Sequence, residues 1–342
     1  MSRKFIAKDP ELEDFWRGII LYGRNVASYK FALAKALLEL KPQSGQLVKL
    51  DDLAPIYARK IADHIKISET QGTFGSSKFL DACKRFGEGL ISSNDLTDTT
   101  VRLGFANVID AFHVVGPSPV PRRFFIDERK SNRGIRITDE FSELQSRNQF
   151  VNLHGEVEAR WRLVETAWRL GVSRNLLSLG YDDVDESLFC IDENKRRKSV
   201  TGSRNALNGY QKGKCFYCFS DIKLAGDRDK LPDVDHFFPH ALKQHGLLGN
   251  LDGVWNLVLS CRECNRGKGG KFDQVPSIRL LERLDTRNEF LIESHHPLRE
   301  TLIKQTGNTA AKRSNFLNKF HTQALAKILH QWDSVEKFKT AF

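Results

Sequence analysis

Four cysteines in two pairs bracket the residues of this chain that are best suited to chemistry. The pairs are Cys215-x-x-Cys218 and Cys261-x-x-Cys264. Four thiolates around one Zn²⁺ form a closed tetrahedral site that contributes folding free energy and leaves no coordination position for a substrate. Redox chemistry is the alternative for a CxxC pair, but it is weaker here because two pairs are present and neither follows a βαβ pattern. The cysteines therefore predict a structural zinc site.

The interval between the two cysteine pairs contains groups with a different chemistry. Cys218 and Cys261 are 43 positions apart, whereas the pairs of a zinc ribbon are separated by about 15–20 residues. The longer interval contains the dipeptide Asp235-His236. A neutral histidine can accept a proton from water near pH 7, and a carboxylate can bind a hard divalent ion. We therefore expect a catalytic centre in a segment that the zinc holds in shape.

Three short motifs in this region resemble those of the HNH endonucleases, also called ββα-metal nucleases. The motifs are Asp235-His236-x-x-Pro239, Asn256-Leu257 and Cys261-x-x-Cys264-Asn265-x-x-Lys268. The resemblance covers roughly residues 204 to 271, and it is specific because several residue types agree at once. It implies two antiparallel strands followed by the start of a helix, which converge on one metal ion at a phosphodiester.

The resemblance also implies a role for each matching side chain. It implies that His236 is the general base and that Asn256 orients its imidazole and shapes the loop. It further implies that Asp235 and the side-chain carbonyl of Asn265 bind the catalytic ion. Oxygen ligands with remaining waters suit Mg²⁺ or Mn²⁺ better than Zn²⁺. We therefore expect two metals, a structural zinc and an exchangeable magnesium or manganese.

Basic residues near the last motif are placed to contact phosphate. Lys268 occupies the position that the family uses, with Arg266 and Lys271 on either side. For Arg266 and Lys271, solvated surface charges are an equally good interpretation. His240 follows Pro239 directly, and it could contact phosphate or act as an alternative base. A histidine on a surface loop is the simpler interpretation of His240.

Composition and charge agree with a nucleic-acid partner. The chain has 342 residues, enough for two or three domains, and Lys+Arg 53 against Asp+Glu 43 give a formal net charge of +10. Such an excess favours a polyanionic partner such as DNA. The first residues lack the apolar segment of a secretory signal, and no apolar run approaches the ~18 residues that span a bilayer. We therefore expect a cytoplasmic protein without membrane association.

Apolar periodicity predicts a mainly α chain with a small α+β module. We expect a mainly helical recognition or interaction domain over residues 1–195, a zinc-stabilised HNH nuclease domain over 196–275 and a helical C-terminal extension over 276–342. A charged linker is predicted over 192–198, and a hairpin with a basic tip over 124–137. The predicted helices begin near residue 10 and continue over 26–40, 51–67, 79–90, 155–170, 204–211, 278–284 and 315–332.

The leading functional hypothesis is a metal-dependent DNA endonuclease. The resemblance implies hydrolysis that leaves 5′-phosphate and 3′-hydroxyl ends, by nicking one strand or by cutting both strands as an oligomer. A helical front and a late nuclease module also look similar to bacterial restriction or anti-phage effectors. That analogy suggests a partner ATPase, another defence subunit or a second copy of the chain. Two alternatives stay open: a zinc-stabilised nucleic-acid-binding module without cleavage, and an RNA-directed nuclease.

Overall fold

The structure is a computed structural model that covers most of the chain. The described residues are 10–22, 26–73, 76–169, 179–182, 184–185, 187–191, 197–224, 231–244, 246, 250–293 and 298–336. The chain divides into two compact units, Pro10–Gly171 and Val172–Phe342. Helices dominate the described residues and the sheets are small, so the prediction of a mainly α chain with a minor β component is confirmed. Within these residues, no helix has both the length and the apolar character needed to cross a bilayer.

The unit Pro10–Gly171 packs helices around two small antiparallel sheets. Its helices are α1 (Leu12–Tyr22), α2 (Tyr29–Leu40), α3 (Leu50–Ile65), α4 (Lys78–Gly87), α5 (Ser93–Thr99) with a π-helical extension (Thr100–Gly104), α6 (Val108–Ala111), α7 (Arg129–Asn132), α8 (Asp139–Ser146) and α9 (Phe150–Arg169). Its strands are β1 (Leu47–Lys49), β2 (Val114–Val115), β3 (Ser118–Pro119), β4 (Phe125–Glu128) and β5 (Gly134–Ile137). The strands β4 and β5 form the hairpin that the sequence predicts, and β1 joins its β5 edge.

Aromatic side chains fill the centre of this unit. Trp16 on α1 is 1% exposed and packs edge-on against Phe124, with ring centroids 5.1 Å apart. Phe31 on α2 stacks against Trp161 on α9 at 6.0 Å. Both contacts join residues that are far apart in sequence. Helices α2 and α9 therefore share one core. Every residue from Lys30 to Leu38 of α2 is buried, which is more than the single face that its apolar stripe predicts.

The unit Val172–Phe342 combines three small sheets with helices. Its strands are β6 (Gly180–Asp182), β7 (Ser187–Ile191), β8 (Arg197–Gly202), β9 (Asp233–His236), β10 (Leu257–Ser260), β11 (Val275–Pro276) and β12 (Gln331–Trp332). Its helices are α10 (Ser203–Gln211), α11 (Ala241–Gln244), α12 (Arg262–Arg266), α13 (Ile278–Glu293), α14 (Arg299–Thr306) and α15 (Ala310–Leu325), with a 3-10 turn at Val254–Asn256. The sheets are β6–β7–β8, β9–β10 and the parallel pair β11–β12.

The second unit begins before the boundary that the sequence predicts between residues 195 and 196. Strands β7 and β8 lie on either side of that position and pair with each other, with Ile191 opposite Arg197. Of the predicted linker, residues 192–196 lie outside the described residues, whereas Arg197 and Lys198 belong to β8. A charged sequence can form a sheet strand when a neighbouring strand supplies the pairing.

The end of the chain returns to this unit as a short strand. The sequence predicts helix as far as Trp332, but α15 ends at Leu325 and β12 pairs with β11. Trp332 is buried, its indole N–H donates to the Gly269 carbonyl at 2.8 Å, and its ring packs against Tyr217 at 4.9 Å. Burial of the indole outweighs local helix preference. The predicted extension over 276–342 is therefore part of the same compact unit.

Strand β10 is covered on both faces. Leu257, Val258 and Leu259 are each 0% exposed, which is the pattern of a strand buried on both sides. From α13, the fully buried Arg287 donates to the carbonyls of Leu257 and Trp255 at 2.5 and 3.1 Å. A helix near the C-terminus thereby holds the hairpin β9–β10 in place.

Candidate metal centre and reactive histidine

Four thiols converge where α10 leads into the hairpin and where α12 begins. The sulfur atoms of Cys215, Cys218, Cys261 and Cys264 all lie within 4.8 Å of one another. The Sγ atoms of Cys218 and Cys261 are 3.8 Å apart. Zn–S bonds of about 2.3 Å in a tetrahedron place neighbouring sulfurs about 3.8 Å apart. The cluster could therefore hold a zinc ion, as the sequence predicts.

Backbone contacts fix the first cysteine pair against the hairpin. The Phe216 N–H donates to the Leu259 carbonyl of β10 at 2.9 Å, and Arg283 of α13 donates to the Phe216 carbonyl at 2.7 Å. The Cys261 N–H donates to Cys215 Sγ at 3.3 Å. A metal on the four thiols would consequently tie β10 and the start of α12 to one point.

The hairpin and α12 form a ββα unit. In the hairpin, His236 lies opposite Leu257 and Asp235 lies opposite Val258. Successive side chains of a strand point to opposite faces, so Asp235 and His236 project to different sides of β9. Each side carries its own cluster of polar groups.

On one face of β9, Asp235 is buried beside a positive charge. Its Oδ2 accepts a hydrogen bond from the Tyr217 hydroxyl at 2.5 Å, and its Oδ1 lies 3.1 Å from Lys271 Nζ. Lys271 is 1% exposed and also donates to the carbonyls of His236 and Phe272 at 3.0 and 3.1 Å. Burial raises the pKa of Asp235, and Lys271 opposes that effect. The ammonium group thus supplies the countercharge that a buried carboxylate requires.

Asp233 lies two residues before Asp235, on the same face of the strand, and it contacts the start of α12. Its carboxylate accepts hydrogen bonds from Asn265 Nδ2 at 3.0 Å and from Arg266 at 2.7 Å. The resemblance implies that Asn265 shares a metal ion with Asp235. In the structure the amide of Asn265 is directed to Asp233, while Asp235 is satisfied by other partners.

The predicted magnesium ligands do not fit a hydrated ion in this arrangement. Mg²⁺ demands octahedral oxygen ligands and keeps several waters, but both oxygens of Asp235 have partners and the residue is 7% exposed. The ammonium of Lys271 would also repel a divalent ion at this carboxylate. Magnesium could bind Asp235 only if Lys271 moved away.

The three predicted phosphate contacts differ in accessibility. Lys268 is exposed, and the side chain of Arg266 is 53% exposed although it pairs with Asp233. Both can reach a phosphate from solvent. Lys271 is buried against Asp235, so in this arrangement its charge serves the carboxylate and offers no surface to a phosphate.

Asn256 is fully buried and shapes the loop between the two strands of the hairpin. Its Oδ1 accepts a hydrogen bond from the Phe238 N–H at 2.8 Å. Its Nδ2 donates to the carbonyls of Phe238 and Leu251 at 3.0 and 2.8 Å. These contacts agree with a loop-shaping role. The implied role of Asn256 in orienting the His236 imidazole stays a prediction.

On the other face of β9, His236 belongs to a second polar cluster. Its Nε2 lies 3.3 Å from Asp252 Oδ1, and its ring centroid is 3.9 Å from that of His240. His240 Nε2 is hydrogen bonded to the same oxygen of Asp252, and Lys243 donates to the other oxygen at 2.8 Å. His240 is therefore part of this second cluster, and its side chain is 35% exposed.

The imidazole of His236 is held neutral and incompletely paired. Its Nε2 is buried and has no hydrogen-bond partner among the described residues. Burial, reinforced by His240, lowers the pKa of His236 to about 4, so the ring is uncharged at pH 7. Tyr181 of β6 packs edge-on against it at 5.7 Å. A neutral imidazole with a free lone pair can accept a proton or bind a metal ion.

Two carboxylates in these clusters are not singled out by the sequence. A signal exists for Asp233, because the two-residue period of a strand places it on the same face as Asp235. For Asp252 no local pattern exists. Asp252 lies beside His236 because of the path of the chain between the two strands, which Asn256 fixes through its hydrogen bond to Leu251.

Comparisons of this chain with protein-family models, with curated proteins and with solved structures return no match. The fold and the site define a small α+β module with a cluster of four cysteines that could hold a metal ion and a separate histidine cluster. Any assignment of function therefore depends on the residues of these two clusters and on their geometry.

Proposed function

We propose that the unit Val172–Phe342 is a metal-dependent endonuclease of the HNH type that hydrolyses phosphodiester bonds in DNA. The observation that carries the proposal is the position of His236. It lies on β9, the first strand of a ββα unit. The second strand, β10, ends directly before Cys261, and Cys264 of the same cysteine cluster lies in the helix α12. This order of elements is the one that the HNH motifs of the sequence imply.

Phosphodiester hydrolysis requires two things of a protein. A water molecule must lose a proton as its oxygen bonds to phosphorus and the P–O bond to the leaving sugar breaks, and the phosphoryl oxygens need positive charge nearby. His236 supports the first requirement, because its Nε2 has no hydrogen-bond partner among the described residues. For the second, Lys268 and Arg266 are exposed cations of the same ββα unit, but Arg266 pairs with Asp233 on the other face of β9, so their contact with the phosphate is what the resemblance implies. General-base action by His236 is the role that the resemblance implies.

The alternatives explain less of the site. A zinc-stabilised binding module without cleavage would use the cysteines and the net charge of +10. It would not explain the buried Nε2 of His236, which has no hydrogen-bond partner among the described residues, and such groups are rare in folded proteins. An RNA-directed nuclease fits the same chemistry, and the choice of DNA follows the resemblance. A defence role with a partner ATPase or a second copy of the chain stays an analogy.

Nicking of supercoiled plasmid by the full-length protein tests the proposal. With Mg²⁺, Mn²⁺ or Zn²⁺ supplied in parallel, we expect the wild-type protein to produce open-circular DNA. His236→Ala should nick at least ~100-fold more slowly, because positioned proton transfer contributes about 10²–10⁴ in rate. His330→Ala is the matched control, because His330 is an exposed histidine of the same unit and its loss should leave the rate unchanged.

Three outcomes are informative. Equal nicking by wild type and His236→Ala would contradict the proposed site. A wild-type protein that binds plasmid without cutting it under any metal would favour the binding module. Cleavage of RNA alone would favour the RNA-directed nuclease.

A further inference from the structure

The three side chains beside β9 have the composition of a transition-metal site. Imidazole nitrogens with one carboxylate are ligands that Mn²⁺, Co²⁺ and Zn²⁺ accept, whereas Mg²⁺ prefers oxygen alone. We propose that His236, His240 and Asp252 bind a divalent transition-metal ion, at a site distinct from the four cysteines.

The distance between His236 and Asp252 fits direct coordination, whereas His240 is hydrogen bonded to the same oxygen of Asp252 and would have to give up that hydrogen bond to bind the ion. Metal–nitrogen and metal–oxygen bonds of about 2.0–2.2 Å in a tetrahedral arrangement place neighbouring ligand atoms about 3.3–3.6 Å apart. His236 Nε2 is 3.3 Å from Asp252 Oδ1. One ligand atom from each of His236, His240 and Asp252 lies within 4.8 Å of the others, the same limit that the four thiols meet.

The buried nitrogen of His236 supplies an independent argument. Its Nε2 has no hydrogen-bond partner among the described residues, although a carboxylate oxygen of Asp252 lies 3.3 Å away. A buried polar atom without a partner is uncommon and often marks a missing ion or water. A metal ion between Nε2 and Asp252 would satisfy both atoms.

The surroundings suit an exchangeable ion. The side chains of His240 and Asp252 are 35% and 36% exposed, so an ion can enter from solvent. Three protein ligands leave coordination positions for water, as in catalytic rather than structural sites. Lys243 contacts Asp252 Oδ2 and not the Oδ1 that faces the histidines. Its side chain is 45% exposed, so it can orient the carboxylate or move into solvent. The buried Lys271 has no such freedom at Asp235.

An ion at this site changes the role of His236 from base to ligand. Water bound to such an ion can lose its proton near neutral pH. His236, His240 and Asp252 would hold the ion, and the ion would supply an acidified water as the nucleophile for hydrolysis. This role for the ion rests on the proposed function, whereas the binding of the ion does not.

Titration of the zinc-loaded, full-length protein with Co²⁺ tests the site. We expect one Co²⁺ to bind beyond the zinc, with visible absorption bands that lack thiolate-to-cobalt charge transfer. His240→Ala and Asp252→Asn should weaken this binding at least tenfold, because even outer-sphere changes cost 10–100-fold in affinity. Both variants should keep the zinc, and the exposed-histidine control His330→Ala should bind Co²⁺ like wild type.

A wild-type protein that binds no second ion, or variants that bind Co²⁺ like wild type, would overturn the proposal. Plasmid nicking by the same preparations separates it from the proposed function. Tight Co²⁺ binding at these residues with intact plasmid would support the metal site and refute the nuclease. Full nicking by His240→Ala without a second ion would refute the metal site and support the nuclease.

Discussion

The two polar clusters of the unit Val172–Phe342 differ in how much water reaches them. Three of the four cysteines are buried and Cys261 is partly exposed, whereas the side chains of His240 and Asp252 are 35% and 36% exposed. A closed set of four ligands suits an ion that holds the fold, and an open set of three suits exchange with solvent and substrate. Damage to the first cluster should therefore remove structure, and damage to the second should remove chemistry.

A buried histidine of the other unit gives a third point of reference. The two ring nitrogens of His64 bond to Glu165 at 2.8 Å and to Glu158 at 3.2 Å, and the ring stacks on Trp161 at 3.4 Å. His236 is also largely buried, but its Nε2 has no partner in the described part of the chain. Burial alone therefore does not distinguish the structural His64 from His236, for which we propose a catalytic role. The presence or absence of hydrogen-bond partners does distinguish them.

The largest expected effect is that of Cys215→Ser. Structural zinc contributes about 10–16 kcal/mol of apparent binding free energy in zinc-finger peptides, which is as large as the ~5–15 kcal/mol stability of a whole domain. We expect the variant to lose its zinc and the cooperative unfolding of Val172–Phe342. Zinc content by atomic emission and a thermal melt by circular dichroism would measure both.

Cys190→Ala is the matched control for Cys215→Ser. Cys190 is buried at 1% exposure but is not one of the four clustered thiols, so its loss should leave the zinc in place. A Cys215→Ser protein with wild-type zinc content and stability would contradict the structural role of the four-cysteine cluster.

Lys271→Met should be the next most damaging change. It leaves the buried carboxylate of Asp235 without its countercharge, and breaking a buried pair in this way costs about 3–5 kcal/mol. Lys268→Met, at an exposed position, should alter stability by less than ~0.5 kcal/mol. Urea denaturation would compare the two. Equal stability with loss of nicking in Lys271→Met alone would instead assign Lys271 to the phosphate contact that the sequence predicts.

Asn256→Ala should have a smaller effect on stability. It removes the partner of the Phe238 N–H and of two buried carbonyls, and a buried unsatisfied group costs roughly 1–3 kcal/mol. The exposed Asn318→Ala on α15 is the control and should be near neutral. Thermal melts would measure both, and indistinguishable midpoints would show that Asn256 does not hold the loop.

The smallest effect concerns the pH dependence of the unit Pro10–Gly171. Burial opposes the charge on His64, but hydrogen bonds to Glu158 and Glu165 outweigh it and raise the pKa of His64 above 6.5. Because the pKa of His64 is higher in the folded than in the unfolded state, this stabilisation is complete below the unfolded-state pKa. It is lost as the pH rises through the folded-state pKa. Denaturant midpoints between pH 6 and 9 should therefore fall more in wild type than in His64→Phe. If the denaturant midpoints of wild type and His64→Phe changed equally with pH, the result would contradict a raised pKa of His64 in the folded state.

Local patterns predict much of the fold and part of the site. The cysteine pairs, β9, β10 and the start of α12 follow from short motifs, and α2 and α9 follow from apolar periodicity. The strand at Trp332 depends on pairing with the distant strand β11, which no local pattern encodes. Strands β7 and β8 pair with neighbouring strands, but they flank a charged segment whose composition is typical of a linker. The meeting of His236 with Asp252 depends in the same way on the path of a loop.

The zinc content of a His236→Ala preparation that has lost nicking activity tests the central claim most directly. If the cysteines hold the fold and His236 performs the chemistry, the variant should, after dialysis that removes exchangeable ions, keep the same one tightly bound zinc per chain as wild type and melt at nearly the same temperature. Loss of the zinc together with the activity would contradict the account, because His236 would then support the structure that the four cysteines are proposed to hold.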